Sequence, residues 1–146
     1  MYPKTHIISG AIFTMLLALT GNFSFLALLI IFASSFLIDV DHWFIYVKRT
    51  GDISVKNSYD WFIALKKRRK AALKRDPKAK LPKLLCIFHT IELFIAIIII
   101  SIYSPFFYWV LIGISFHLLL DFISELMEND CEKDFSLIHY ILMERK

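Results

Sequence analysis

Four apolar blocks dominate the chain: residues Ile7 to Thr20, Phe23 to Ile38, Leu84 to Ile100 and Phe106 to Leu120. Within each, apolar positions run all the way round a helix rather than along one stripe, as expected of a helix meeting an apolar medium on most sides. A hydrocarbon core of ~30 Å needs roughly 20 helical residues. The first two blocks are short by that measure, but their flanks hold Lys4 and Lys48, whose long side chains can snorkel to the headgroups. The pattern therefore predicts four transmembrane helices: about Thr5 to Thr20, about Ser24 to Val47, one starting after Pro82, and one running from the turn at Pro105 to about Glu128. Lys48-Arg49-Thr50-Gly51 ends the second with basic residues and a C-cap glycine. Phe135 to Met143 reads as a short amphipathic helix on the membrane surface.

Composition agrees. Of 146 residues, 58% are hydrophobic and the mean hydropathy is +0.60, above the roughly 45–50% apolar share of soluble domains. The expected fold is all-α, a single integral membrane domain over residues 1–146. The net charge of +4 invites a nucleic-acid partner, but its placement argues against one. Thirteen of the 17 Lys and Arg residues lie within Lys48 to Lys83, and the other four are Lys4, Lys133, Arg145 and Lys146. With hairpin turns at Thr20 to Ser24 and Ser101 to Pro105, every basic residue falls on one side of the membrane. The positive-inside rule makes that side cytoplasmic, so a multi-pass cell-membrane protein with both termini inside is expected. Trp43 and Tyr46 then mark the cytoplasmic interface, and Tyr103, Tyr108 and Trp109 the opposite one.

Within the loop 48–83, Ser58 to Arg75 joins an aromatic and apolar patch (Tyr59, Trp61, Phe62, Ile63, Leu65) to the run Lys66-Lys67-Arg68-Arg69-Lys70. This suits an interfacial helix on anionic lipid headgroups, the alternative being a solvated loop that only sets topology. Cys86 and Cys131 form no C-x-x-C pair and face a reducing compartment, so free thiols without a role are expected. The N-terminal apolar run is read as retained rather than as a cleaved signal, and the Asn22-Phe23-Ser24 sequon as unused in a turn hard against the bilayer.

An ionisable residue within a spanning helix costs about 2.5–3.5 kcal/mol on insertion scales, so each one calls for a function. The chain has His6 on the first helix, Asp39, Asp41 and His42 on the second, His89 and Glu92 on the third, and His117 and Asp121 on the fourth. Counted back to the far-side turns at ~1.5 Å per residue, His6, Asp39, His89, His117 and Asp121 all lie roughly 18–24 Å deep. His117 and Asp121 stand at i and i+4, while Asp39 with His42, and His89 with Glu92, stand at i and i+3, so each pair projects from one helical face. Asp41 points away from Asp39 on an ideal helix unless the helix unwinds there. Imidazoles mixed with carboxylates suit Zn²⁺, Mn²⁺ or Fe²⁺, and their number exceeds what one tetrahedral ion needs. One or two ions are expected, with His6, Asp39, His42, His89, His117 and Asp121 as metal ligands and Asp41 and Glu92 as orienting groups or general base. Taken singly, His6 reads as an ordinary interfacial histidine and His117 with Asp121 as a buried hydrogen-bonded pair. The shared depth is what joins them. His139, in the tail, reads as a surface histidine.

These residues resemble the family of membrane-bound metal-dependent hydrolases that includes the LexA-binding inner-membrane hydrolases. The likeness rests on Thr5-His6 with Gly10, Asp39-Val40-Asp41-His42, His89-Thr90, and His117-Leu118-Leu119-Leu120-Asp121. Phe88 stands where many relatives carry an arginine, and an acidic segment, Glu125 to Asp134, follows the last motif. Because that family is distantly similar to zinc-dependent phospholipase C and P1-type nucleases, the resemblance implies metal-dependent hydrolysis of a phosphoester such as a phospholipid. A metal-binding scaffold or sensor without turnover is the alternative. A carrier ranks last, because the far half of the predicted bundle lacks charge.

Overall fold

The computed structural model describes residues 3–76, 79, 84–128, 133–134 and 136–144. Its helices are α1 (Pro3–Leu19), α2 (Phe25–Leu37), α3 (Val40–Thr50), α4 (Val55–Arg75), α5 (Ile91–Ser101), α6 (Pro105–Glu128) and α7 (Leu137–Glu144). A 3₁₀ turn over Ile87–His89 precedes α5, and the short strands β1 (Leu84–Leu85) and β2 (Lys133–Asp134) pair in parallel. Expectations resting on Pro82, Cys131, Phe135 and the last two residues fall outside the described residues, as does the side chain of His139.

The all-α expectation holds, but the spans differ from the simple four-block picture. Two stretches are long and apolar enough to cross a membrane, Phe25–Thr50 and Pro105–Met127, while Lys4–Leu19 and Ile91–Ser101 are shorter apolar helices. The predicted second helix is broken at Ile38 and Asp39, where the chain makes a tight turn before α3. The predicted third helix starts late. Its first residues are taken by β1 and the 3₁₀ turn, leaving only Ile91–Ser101 as α-helix.

The helices α1 and α6 both pack on α2, and α5 packs on α6. Close approach at small residues permits this arrangement, the usual solution for apolar helices that gain little from burying further apolar surface. A Cβ added to Gly113 of α6 would lie 2.0 Å from Ser34 Oγ and 2.4 Å from the Ile31 carbonyl oxygen of α2, and one added to Gly10 of α1 would lie 2.2 Å from Ser35 Oγ. The serine hydroxyls bond back to their own helix, Ser34 to Ile30 and Ser35 to Phe32, so they present little polar surface at the seam.

The burial pattern is inverted relative to a water-soluble core. Among the largest fully buried side chains, Ile31 is accompanied by His6, His89, His117, Thr90, Asp121, Cys86 and Ser35. Large apolar groups such as Met15, Leu19, Leu26, Tyr103 and Met127 point outward. Beyond the break, Gly51 ends α3 in the left-handed region (φ 75°), as its position in the sequence predicts, and Ser54 caps α4 by accepting from the Asn57 N–H. Asp52 ties the two helices together, accepting from Tyr46 Oη, Asn57 Nδ2 and the Ser54 N–H, while Trp43 Nε1 donates to the Ile53 carbonyl.

Two outcomes follow. Gly113→Ala is expected to lower stability in detergent by about 1–3 kcal/mol, the cost of overpacking a tight seam, and Ser34→Ala does not restore it because the Ile31 carbonyl remains in the way; thermal unfolding of the single and double variants decides this. The hydrogen bonds to Asp52, that from Tyr46 foremost, hold its carboxyl below the usual carboxylate range. A depressed folded-state pKa contributes stability above the ordinary value near 3.9 that is lost as pH falls through the lower one. Acidification below pH ~4 should thus loosen the α3–α4 hairpin, seen in the fluorescence of Trp43 and Trp61, and Asp52→Asn should flatten that response.

Candidate metal centre

The break after α2 builds the site. Asp39 occupies the N-cap position of α3, yet its side chain makes no capping bond, which leaves the carboxylate to turn into the bundle. Asp41, two residues on in the first turn of α3, is buried as well. The two carboxylates end on either side of one imidazole: Asp41 Oδ2 is 3.0 Å from His89 Nδ1 and Asp39 Oδ1 is 3.5 Å from His89 Nε2. His89 sits in the 3₁₀ turn, and helix α6 supplies His117 and Asp121 one turn apart.

The hydrogen bonds fix the tautomers. His117 Nδ1–H donates to the Ser35 carbonyl at 2.9 Å, and His89 Nδ1–H donates to Asp41 Oδ2, which also accepts the Phe88 N–H at 3.2 Å. A neutral imidazole carries one N–H, so in both rings Nε2 presents its lone pair to the interior. These two Nε2 atoms are 3.1 Å apart. Two facing lone pairs at that distance repel unless a cation lies between them.

The carboxylates complete the arrangement. Asp121 Oδ2 is 3.5 Å from each Nε2, and Asp39 Oδ1 is 3.5 Å from that of His89 and 3.6 Å from that of His117. A tetrahedral ion with ligand bonds of about 2.0–2.1 Å would separate its ligand atoms by about 3.3–3.4 Å. Asp39, His89, His117 and Asp121 thus hold one ligand atom each at spacings that fit a divalent cation, and the bonds from Asp41 and Ser35 are the outer contacts that orient metal-binding imidazoles.

His6 lies on the other side of the same carboxylates. It is 1% exposed, its ring stacks on His117 with centroids 4.0 Å apart, and its Nε2 is 3.1 Å from Asp121 Oδ1 and 3.9 Å from Asp39 Oδ2. Each aspartate therefore divides its two oxygens, one toward His89 and His117, the other toward His6.

Two expected site residues are placed otherwise. The i, i+3 pairing of His89 with Glu92 does not form, because α5 starts between them. The carboxylate of Glu92, expected as an orienting group or general base, accepts from the Ser136 hydroxyl and from the Leu137 and Ile138 N–H groups, capping the start of α7. His42 keeps its expected i, i+3 contact with Asp39, Nδ1 to Oδ1 at 3.4 Å, and belongs to the adjoining group of potential ligands rather than to the Asp39, His89, His117 and Asp121 set. Its Nδ1 approaches Asp41 Oδ1 to 2.9 Å without hydrogen-bond geometry, and its Nε2 is 3.8 Å from Cys86 Sγ.

Cys86, expected to have no role, is buried within a second group of potential ligands with Asp41, His42 and His89. The carbonyl of Ser35 is likewise absent from the sequence reading. The position of Cys86 three residues before His89 is the only sequence signal for the former, and it becomes meaningful only once the 3₁₀ turn is known. Family models, curated proteins and solved structures contain no match to this chain.

The geometry separates two acidic residues by consequence. Asp41→Ala should weaken Zn²⁺ binding by about 10–100-fold, the usual effect of removing a carboxylate that orients a ligating histidine, as read by competition with a chromophoric chelator. Glu92→Gln should leave the Zn²⁺ affinity within about twofold while speeding amide exchange in α7; a matching loss of metal in both variants would contradict the assignment.

Proposed function

We propose that this chain is a membrane-embedded, metal-dependent phosphoester hydrolase whose centre lies at the cytoplasmic headgroup layer of a four-span bundle. The observation that carries the reading is the convergence of two inward-facing imidazole lone pairs and two carboxylate oxygens, each oxygen 3.5 or 3.6 Å from both nitrogens. The membrane setting is supported by the inverted burial, since a water-soluble chain does not expose apolar surface on this scale. It is also supported by the gathering of 13 of the 17 basic residues within Lys48 to Lys83, between apolar blocks.

A bound divalent cation supplies Lewis-acid polarisation of a phosphoryl oxygen and makes water nucleophilic at neutral pH. The protein's own groups supply the rest. Asp41 and the Ser35 carbonyl keep His89 and His117 in the metal-binding tautomer. Asp39 and Asp121 face both ways, so that together with His6 they offer three groups on the second side, where a further ion would keep an open coordination position. His6, stacked on His117, would be the imidazole of that second position, and a second ion there would supply the paired-metal chemistry of two-metal hydrolytic sites. Basic α4 draws an anionic headgroup toward this layer.

A second reading has one specific observation in its favour. The position formed by Asp39, His89, His117 and Asp121 has four protein ligands, the saturated shell of a structural zinc, and with that ion alone the chain would be a metal-binding scaffold or sensor. Turnover separates the two. The detergent-purified protein should carry zinc, manganese or iron by elemental analysis and release phosphate from a lipid phosphoester. Treatment with EDTA should abolish that activity, and His117→Ala combined with Asp121→Ala should abolish both metal and activity. Stoichiometric metal with no hydrolysis of any lipid or nucleotide phosphoester would leave the scaffold.

A further inference from the structure

An apolar groove of about 420 Å³ opens between α2, α5 and α6. Its walls include Ile30, Leu37 and Ile38 on the α2 side, Phe88 beside α5, and Val110 and Ile114 on α6. Ser34 is the one lining hydroxyl, and it bonds back to the Ile30 carbonyl at 2.8 Å. The groove therefore offers a ligand no polar contact along its length.

Its position gives it meaning. Ile38 directly precedes Asp39 and Phe88 directly precedes His89, so two of the segments that line the groove also carry metal-centre side chains. From Ile38 back to Ile30 the groove follows α2 for eight residues, about 12 Å at the helical rise, along a helix apolar enough to lie in a membrane. At the centre's end the charge changes. Phe62 of α4 packs on His42 with ring centroids 5.0 Å apart, so α4, which bears the run Lys66-Lys67-Arg68-Arg69-Lys70 with Lys66 and Arg69 buried, lies beside the metal centre.

We infer that the groove is the binding site for one hydrocarbon chain of a bilayer lipid whose phosphoester headgroup reaches the metal centre. The headgroup part of this inference rests on the hydrolase reading. Apolar walls at acyl depth, polar ligands at the groove's end and cationic side chains beyond them reproduce the order of an anionic amphiphile: tail, phosphoester, negative charge. A water-soluble phosphoester would use only the last two. The groove therefore predicts a preference for long-chain over short-chain esters, because only a long chain can lie along its length while the phosphoester stays at the metal centre.

The test uses the full chain in nanodiscs of phosphatidylcholine containing a few per cent of phosphatidic acid with a diazirine midway along one acyl chain. Photolysis followed by peptide mapping should label the groove faces of α2, α5 and α6. Ile30→Trp and Val110→Trp, which fill the groove from opposite walls, should each cut that labelling at least fivefold while zinc content persists as evidence of folding. Leu26→Trp on the outward face should not change it. The ratio of long-chain to dihexanoyl phosphatidic acid hydrolysis should fall about tenfold in the two filled variants. Labelling spread evenly over the outward faces, labelling unmoved by both tryptophans, or cross-links to a second copy of the chain would overturn the proposal even if both esters are hydrolysed. Groove labelling that the tryptophans abolish, in a protein that hydrolyses neither ester, would uphold the lipid site and remove the hydrolase reading instead.

Discussion

Two imidazole nitrogens that face one another with their lone pairs inward are the constraint on which the structure turns. His89 and His117 have each committed Nδ1–H elsewhere, to Asp41 and to the Ser35 carbonyl, so neither ring in its neutral form can donate to the other across the 3.1 Å between their Nε2 atoms. With Asp39 and Asp121 at similar distances, the cluster is a repulsive assembly without a positive charge and a stable one around a divalent cation. The rest of the fold can be understood as the means of holding that assembly. The α2–α3 break aims two aspartates inward, the Gly113 and Gly10 seams bring α6 and α1 close enough to deliver His117 and His6, and the 3₁₀ turn presents His89 without a helix of its own.

The energetic setting is the reverse of a soluble core. Burying ionisable groups is costly wherever water is excluded, and it persists where partners or a metal offset it. Here the fully buried side chains are mostly polar while many leucines, isoleucines and phenylalanines face outward. Such a chain gains little by collapse in water, and its helices find their order through close small-residue contacts and a shared polar layer.

Much of this was legible in the sequence because helical rise converts residue number into depth. His6, Asp39, His89, His117 and Asp121 fall at one level by that count, and the structure gathers them. What resisted reading was local departure from the α-helix. Treating residues 84–100 as one apolar helix put Glu92 on the same face as His89, whereas α5 begins at Ile91 and Glu92 turns to α7. The same assumption hid Cys86, whose burial beside His42 depends on the 3₁₀ turn. Asp41 was ambiguous because an ideal helix sends it away from Asp39, and the two carboxylates share a site only because they approach different nitrogens of His89. Apolar runs report which medium a segment meets; they carry little information about where a helix within them starts or breaks.

X-ray absorption at the zinc edge of the zinc-loaded protein addresses the central claim most directly. Coordination by His89, His117, Asp39 and Asp121 requires a first shell of nitrogen and oxygen alone at about 2.0–2.1 Å, with imidazole scattering beyond it. Sulfur at about 2.3 Å would place the ion with Cys86 and His42 instead, and a protein that takes up no zinc would contradict the account.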